Sequence, residues 1–267
     1  VAPTAVKDRP AQRAKYTVKH SLSALICRQG SRFMGSLAAL FLIQASLADV
    51  ARAETTAVTL DIVVDPSLRV LRGTAKIRIV NTSVKNLNSA HLWLFPQRLT
   101  SRPKGLTEVE EEWMFPAGFS PGSMKILRVR DTSGQDLKVN YPEPTLAKVE
   151  LKKGHPVGEV LELQVSFETI VPERYGPFGR AGDQTTLDGG FFPRPPPLQQ
   201  DGYQDHAPPD RLSYSLRLRT SEEGVHAVVN GELKKLAGEA HWDGMEVAER
   251  VSLTLLKRFY VTRLRQS

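Results

Sequence analysis

Cysteine is almost missing from this chain. Its 267 residues hold one thiol, Cys27. A lone cysteine excludes an internal disulfide framework, so the fold must be held by its core. Histidine is scarce too, at six residues: His20, His91, His155, His206, His226 and His241. None opens an HExxH run, and none stands at metal-ligand spacing from another histidine or a cysteine. His241 has Glu246 nearby, but Gly244 and the spacing argue against a ligand helix. The histidines therefore read as surface or turn residues, with no metal site and no catalytic residue expected. A G-x-S-x-G elbow and a phosphate-cradling glycine loop are also missing. Glu110-Glu111-Glu112 reads as a solvated charge run, because working carboxylates need environments that separate their pKa values.

Long apolar stretches are lacking apart from one, from Gly35 to Leu47. It falls well short of the roughly 20 residues that span a bilayer. Arg28 and Arg32 precede it, and Ala51-Arg52-Ala53 follows with small residues where a signal peptidase reads. This is the pattern of a secretory signal over 34–53, with cleavage after Ala53 and no stable membrane insertion afterwards. Residues 1–33 are expected to be a disordered leader or an over-extended gene start, and 54–267 a β-domain. Cys27 precedes the apolar run and follows Leu25-Ile26, which argues against lipidation. The expected location is the periplasm or outside the cell.

Removing the leader changes the charge argument. Residues 1–53 carry eight Lys/Arg and two acids, a net of +6, while the whole chain is +7, so the remainder is 7 − 6 = +1. A strongly basic chain suggests nucleic acid as a partner. Here the excess sits in the leader, so no nucleic-acid partner is expected.

From Glu54 onward the dominant period is two. Val58, Leu60 and Ile62 alternate with Thr59 and Asp61 up to Asp65-Pro66, which reads as a half-buried strand closed by a turn. A second strand runs through Gly73 to Asn81, with Gly73 expected to mark a bulge or tight bend. A third is expected over Ala90–Phe95, stopped by Pro96. Residues 97–123 are irregular, with Glu108–Phe115 open to one short helical turn or a decorated loop. Lys125–Asp131 and Leu137–Tyr141 read as a hairpin around Thr132-Ser133-Gly134. Leu146–Leu151 and Val160–Thr169 read as a pair joined through Lys152-Lys153-Gly154. Arg211–Thr220 and Val225–Val229 follow, and Val251–Val261 reads as a strand by its β-branched and aromatic content, with a helix open by its length. Many short strands with regular turn signals point to an all-β fold, an antiparallel β-sandwich or saddle-like sheets.

Between the strands lies an aromatic, Pro- and Gly-rich segment, Arg174–Asp210, which includes LDGGFFPRPPP at Leu187–Pro197. Long irregular segments of this kind tend to be functional or disordered, and the aromatics favour function. Phe191, Phe192 and Arg194 are candidate substrate contacts. For the two phenylalanines a plug in the core stays equally open.

Four stretches carry a family likeness. Leu60–Asn81, Leu161–Pro172, Gly182–Pro197 and Ser213–Leu233, the last with its Asn-Gly turn, together resemble the N-terminal β-domain of aminopeptidase N-type (gluzincin) zinc metallopeptidases over about residues 56–235. The resemblance implies a β-saddle packed on a thermolysin-like helical domain, with one loop helping to bind the substrate's free α-amine. Gln184 is the candidate for that contact, although its neighbours Asp183, Thr185 and Thr186 depart from the family's pattern. The family's zinc motif and its Gly-x-Met-x-Asn motif are absent, so no cofactor is expected in this chain and zinc belongs to a catalytic domain it does not contain.

Two readings follow. In one, the chain is a non-catalytic domain that shapes a substrate cleft beside a catalytic domain or a peptide substrate. In the other, it is a free-standing exported β-module binding a peptide, glycan or protein through Arg174–Asp210. An apolar patch left exposed favours the first.

Overall fold

In the computed structural model, residues 56–236 and 238–257 are described. The expected signal segment and leader lie outside them, as does the end of the last expected strand. The fold is mostly β, in several antiparallel sheets, as the two-residue rhythm predicts.

The largest sheet has six strands. They are β1 (Ala57–Val64), β2 (Val70–Val80), β4 (Ser123–Arg130), β7 (Val160–Ile170), β12 (Leu212–Thr220) and β15 (Glu239–Ala248), in the order β15-β12-β1-β2-β7-β4. Every neighbouring pair is antiparallel except β1 with β12. Alternation buries Val58, Leu60, Ile62 and Val64 from β1, and Leu161, Leu163, Val165 and Phe167 from β7. The other face is charged, with Arg72–Glu168 at 2.7 Å, Arg78–Glu162 at 2.8 Å and Arg219–Asp61 at 2.6 Å. The first two pairs are directly opposed across β2 and β7, the geometry in which opposite charges support a sheet. This face is solvated, with Val63 of β1 exposed between Arg72 and Arg219.

A five-stranded sheet runs β14-β13-β16-β9-β8, from β8 (Phe178–Ala181), β9 (Gln184–Asp188), β13 (His226–Val229), β14 (Glu232–Lys235) and β16 (Ser252–Leu256). Its β13–β14 hairpin turns on Asn230 and Gly231, both at positive φ (45° and 87°), the conformation that a two-residue hairpin needs. A three-stranded sheet, β3-β6-β5, combines β3 (Leu87–Trp93), β5 (Val139–Glu143) and β6 (Leu146–His155). The short strands β10 (Leu198–Gln199) and β11 (Gly202–Tyr203) pair with each other. The inward residues of the three larger sheets form one contiguous core. The expected helical turn is present as α1, Glu108–Met114, closed by a capping box between Thr107 and Glu110. Among the described residues no helix is long and apolar enough to cross a membrane.

Several pairings differ from the sequence expectation. Lys125–Asp131 and Leu137–Tyr141 do not form a hairpin: β4 pairs with β7, whereas β5 pairs with β6 in another sheet. The turn between them is real, with Gly134 N–H on the carbonyl of Asp131, and the segments pair briefly through an Arg130–Asp136 bridge and Leu137 N–H on the Val129 carbonyl at 2.9 Å before the strands diverge. Likewise β6 continues past Lys152-Lys153-Gly154, with a register shift against β3 between Glu150 and His155, and the chain turns later, at Gly158 (φ 78°). β6 then pairs with β3 and β5, and β7 with β2 and β4. Alternation fixes which face is buried but leaves the partner open. The strand β15, over a segment read only for its histidine, was not expected.

Gly73 is not a bulge. It sits in unbroken register between Ile62 and Phe167. A side chain there would meet the Asp61 carbonyl at 2.7 Å, Ile62 Cγ1 at 2.9 Å and the Phe167 ring at 3.2 Å. The glycine makes room for a core aromatic across the sheet. Gly73→Ala is expected to cost about 1–3 kcal/mol by overpacking, read as a lower urea midpoint with an unchanged slope.

Candidate functional site

The Arg174–Asp210 segment is built, not loose. Its first half is the β8–β9 hairpin, turned at Gly182 (φ 58°). After β9, Gly189 and Gly190 are both left-handed (φ 78° and 69°), a conformation that glycine adopts without penalty. A side chain on Gly190 would lie 2.7 Å from Phe95 Cβ. This double turn sends Phe191 and Phe192 inward, where they are 0% and 2% exposed and meet edge-on at 5.1 Å. Residues 193–197 are buried as well. The chain then bridges to β3: Trp93 N–H donates to the Arg194 carbonyl at 2.7 Å, and Arg194 N–H donates back at 3.3 Å.

Opposite this wall, β3 delivers Trp93, and the 3-10 turn Phe95–Leu99, entered through Pro96, places Phe95 and Arg98 on the rim. The end of the long segment folds over β3. Asp205 binds His91 Nδ1 through both carboxylate oxygens, at 2.8 and 3.0 Å. Its carbonyl accepts from the Trp93 indole at 2.8 Å, and Tyr203 stacks on the His91 ring at 4.6 Å. Burial pushes the Tyr203 phenol up, out of reach of ordinary titration. Next to it, His206 faces Glu143 of β5 at 3.7 Å. These walls enclose a solvent-open cleft of about 550 Å³ with Phe178 and Phe192 among its lining residues, within the usual size of ligand sites.

Arg194 is the unusual group in this cleft. It is 9% exposed, and its guanidinium donates to the main-chain carbonyls of Asp210 and Glu249. Burial lowers its pKa to about 10, against the opposing fields of Asp210 and Glu249. It stays protonated at neutral pH. Arg250 at the rim is paired with Asp188 at 3.1 Å.

Of the four expected substrate contacts, Phe192 and Arg194 line the cleft. Phe191 lies behind them in the core. Gln184 is exposed on β9, where its amide donates to Thr186 Oγ1 at 3.0 Å, and it is not among the lining residues. Sequence reasoning did not find Trp93, Arg98, Glu143, Asp205 or His206. Asp205 and His206 lie inside the Arg174–Asp210 segment that the sequence singles out, while Trp93, Arg98 and Glu143 come from distant strands and turns, and no local pattern joins them. His91 is a correction to the surface reading of the histidines, since its side chain is 17% exposed and hydrogen-bonded to Asp205. Among the described residues no group of three or more His, Cys, Asp or Glu is placed to hold a metal ion.

No protein-family model and no curated protein sequence matches the chain. Solved structures do. The M1 zinc metallopeptidase of Deinococcus radiodurans is similar at 14% identity and a TM-score of 0.49, over 76% of this chain and 42% of that one. A mutant of it bound to a Tyr-Ser-Ala substrate gives the same values. A two-domain M1 zinc metallopeptidase mutant bound to L-tryptophan does too. The chain thus spans under half the length of these similar structures.

Proposed function

We propose that this chain is a non-catalytic β-domain that shapes a substrate cleft, in the manner of the N-terminal domain of a zinc aminopeptidase-like protein. The observation that carries the proposal is the ordered Arg174–Asp210 segment. Phe191 and Phe192 root it in the core, and it presents Gly189, Gly190, Arg194 and His206 to one open cleft with an apolar floor. Such a cleft accommodates an extended peptide: Phe178 and Phe192 give area to a side chain, and polar groups at the rim fix orientation. A second surface supports a neighbouring partner domain. Val109 and Trp113 lie one helical turn apart on α1, 75% and 68% exposed, and Trp113 stacks on Tyr175 at 6.2 Å. Adjacent exposed apolar side chains of this kind mark interaction surfaces. Export completes the proposal, supported by the basic flank, the short apolar run and Ala51-Arg52-Ala53.

The test uses the purified chain with labelled tripeptides to octapeptides, scored for binding by fluorescence anisotropy and for cleavage by mass spectrometry, with and without added zinc. Binding in the micromolar to millimolar range, no cleavage and no zinc retained after dialysis are expected. Cleavage that tracks one zinc per chain would overturn the non-catalytic assignment, and no binding by any peptide would overturn the cleft.

A further inference from the structure

The charges around the cleft do not balance pairwise. Asp188 is taken by Arg250 at 3.1 Å, Asp205 by His91 at 2.8 Å, and Glu143 faces His206 at 3.7 Å. Among the described charged lining residues, Arg98, Arg194 and Glu249 remain without an ion pair. Arg98 has no ion pair among the described residues and only leans over the Phe95 ring at 5.9 Å. Arg194 is nearly buried, yet it is held by two main-chain carbonyls, and among the described residues no carboxylate forms an ion pair with it. A guanidinium carries five N–H donors in a planar fork, and these two bonds leave donors over. A buried cation without a counter-ion is costly unless something else supplies the charge. The carboxylates of Asp210 and Glu249 supply Arg194 with opposing charge through their fields, but burial outweighs them, and both residues are exposed to water. Both arginines line the same cleft, beside Phe95, Phe178 and Phe192.

We infer that the cleft recognises a carboxylate, carried by a peptide next to an apolar side chain, with Arg98 and Arg194 as the anion-binding pair and the phenylalanines as the apolar seat. This rests on the peptide-cleft proposal and adds the chemistry of the ligand. The arginine fork suits a carboxylate because both present parallel contacts in one plane. Two sources share this chemistry: a peptide's free C-terminus, and an internal glutamate or aspartate.

Four labelled peptides of one core sequence containing phenylalanine separate them: free C-terminus, C-terminal amide, amide with an internal glutamate, and amide with glutamine in its place. Dissociation constants come from anisotropy at low and moderate salt. At least one carboxylate peptide is expected to bind about tenfold or more tightly than its neutral twin, and the advantage should shrink with salt. Arg98→Glu is expected to erase that advantage without moving the melting temperature, because Arg98 lies at the rim. Arg194→Lys, which keeps the charge and loses the fork, should reduce it. Preference for the free C-terminus or for glutamate identifies the source, and either supports the inference. Equal binding of charged and neutral twins would overturn the anion site while leaving the cleft standing. Failure of all four to bind would instead remove the cleft itself.

Discussion

Asn81→Leu is expected to lose on the order of 4 kcal/mol of stability, since each buried polar group left unpaired costs about 1–3 kcal/mol. Asn81 is 0% exposed at the end of β2. Its amide nitrogen donates to the carbonyls of Lys85, His155 and Pro156, each at 3.0 Å. Its oxygen accepts from Ser83 N–H at 3.1 Å and Ser83 Oγ at 2.7 Å. Its main chain binds Gly158 and Glu159. One side chain thus ties β2 to the loop after it and to the turn that separates β6 from β7. Leucine has similar bulk, so the loss reads polar satisfaction and not a cavity. The same corner holds the cleft-side loop, because Thr82 Oγ1 donates to the Leu198 carbonyl and Val84 N–H to that of Gln200. Urea unfolding by fluorescence and far-UV circular dichroism should show one lowered midpoint. A loss under about 1 kcal/mol would mean water replaces these partners freely.

Phe191→Ala is the second large effect, at about 3–5 kcal/mol for a fully buried phenylalanine. Its ring packs edge-on to Phe192 in the core, and its carbonyl accepts from Thr169 Oγ1 of β7 at 3.0 Å. The substitution removes the root of the cleft wall, so peptide affinity should fall together with the urea midpoint. Phe192→Leu, nearer in volume, should cost under about 1.5 kcal/mol. If Phe191→Ala left both stability and affinity intact, the segment would not be anchored as described.

Much of the fold is legible in sequence because burial follows the pleat. The alternation at Val58–Ile62, the Asn-Gly turn at 230–231 and the capped helix at Glu108 are local physics, and each appears where its residues predict. Strand partners are not local. The chain at Ser133-Gly134 turns as the composition says, yet β4 and β5 go to different sheets. The glycines of 174–190 read as irregular because glycine marks both a loop and a tight hairpin, and here Gly182 makes a hairpin. Gly73 reads as a bend because a missing side chain can serve the backbone or its neighbours, and here the neighbours are the Asp61 carbonyl, Ile62 and Phe167. At the site, sequence singles out the Phe-Phe-Pro-Arg run. It does not show that Phe191 faces away while Arg194 is held by carbonyls 16 and 55 residues downstream.

Amide hydrogen exchange of the purified chain, with and without a phenylalanine-containing peptide ending in a free carboxylate, tests the cleft most directly. Without peptide, residues 190–194 should already exchange slowly, as a packed wall does. With peptide, further slowing is expected at 95–99, 189–194 and 204–208, the three stretches that border the cleft. Slowing confined to 109–115 and 175, around Trp113 and Tyr175, or rapid exchange of 190–194 in the free chain, would contradict it.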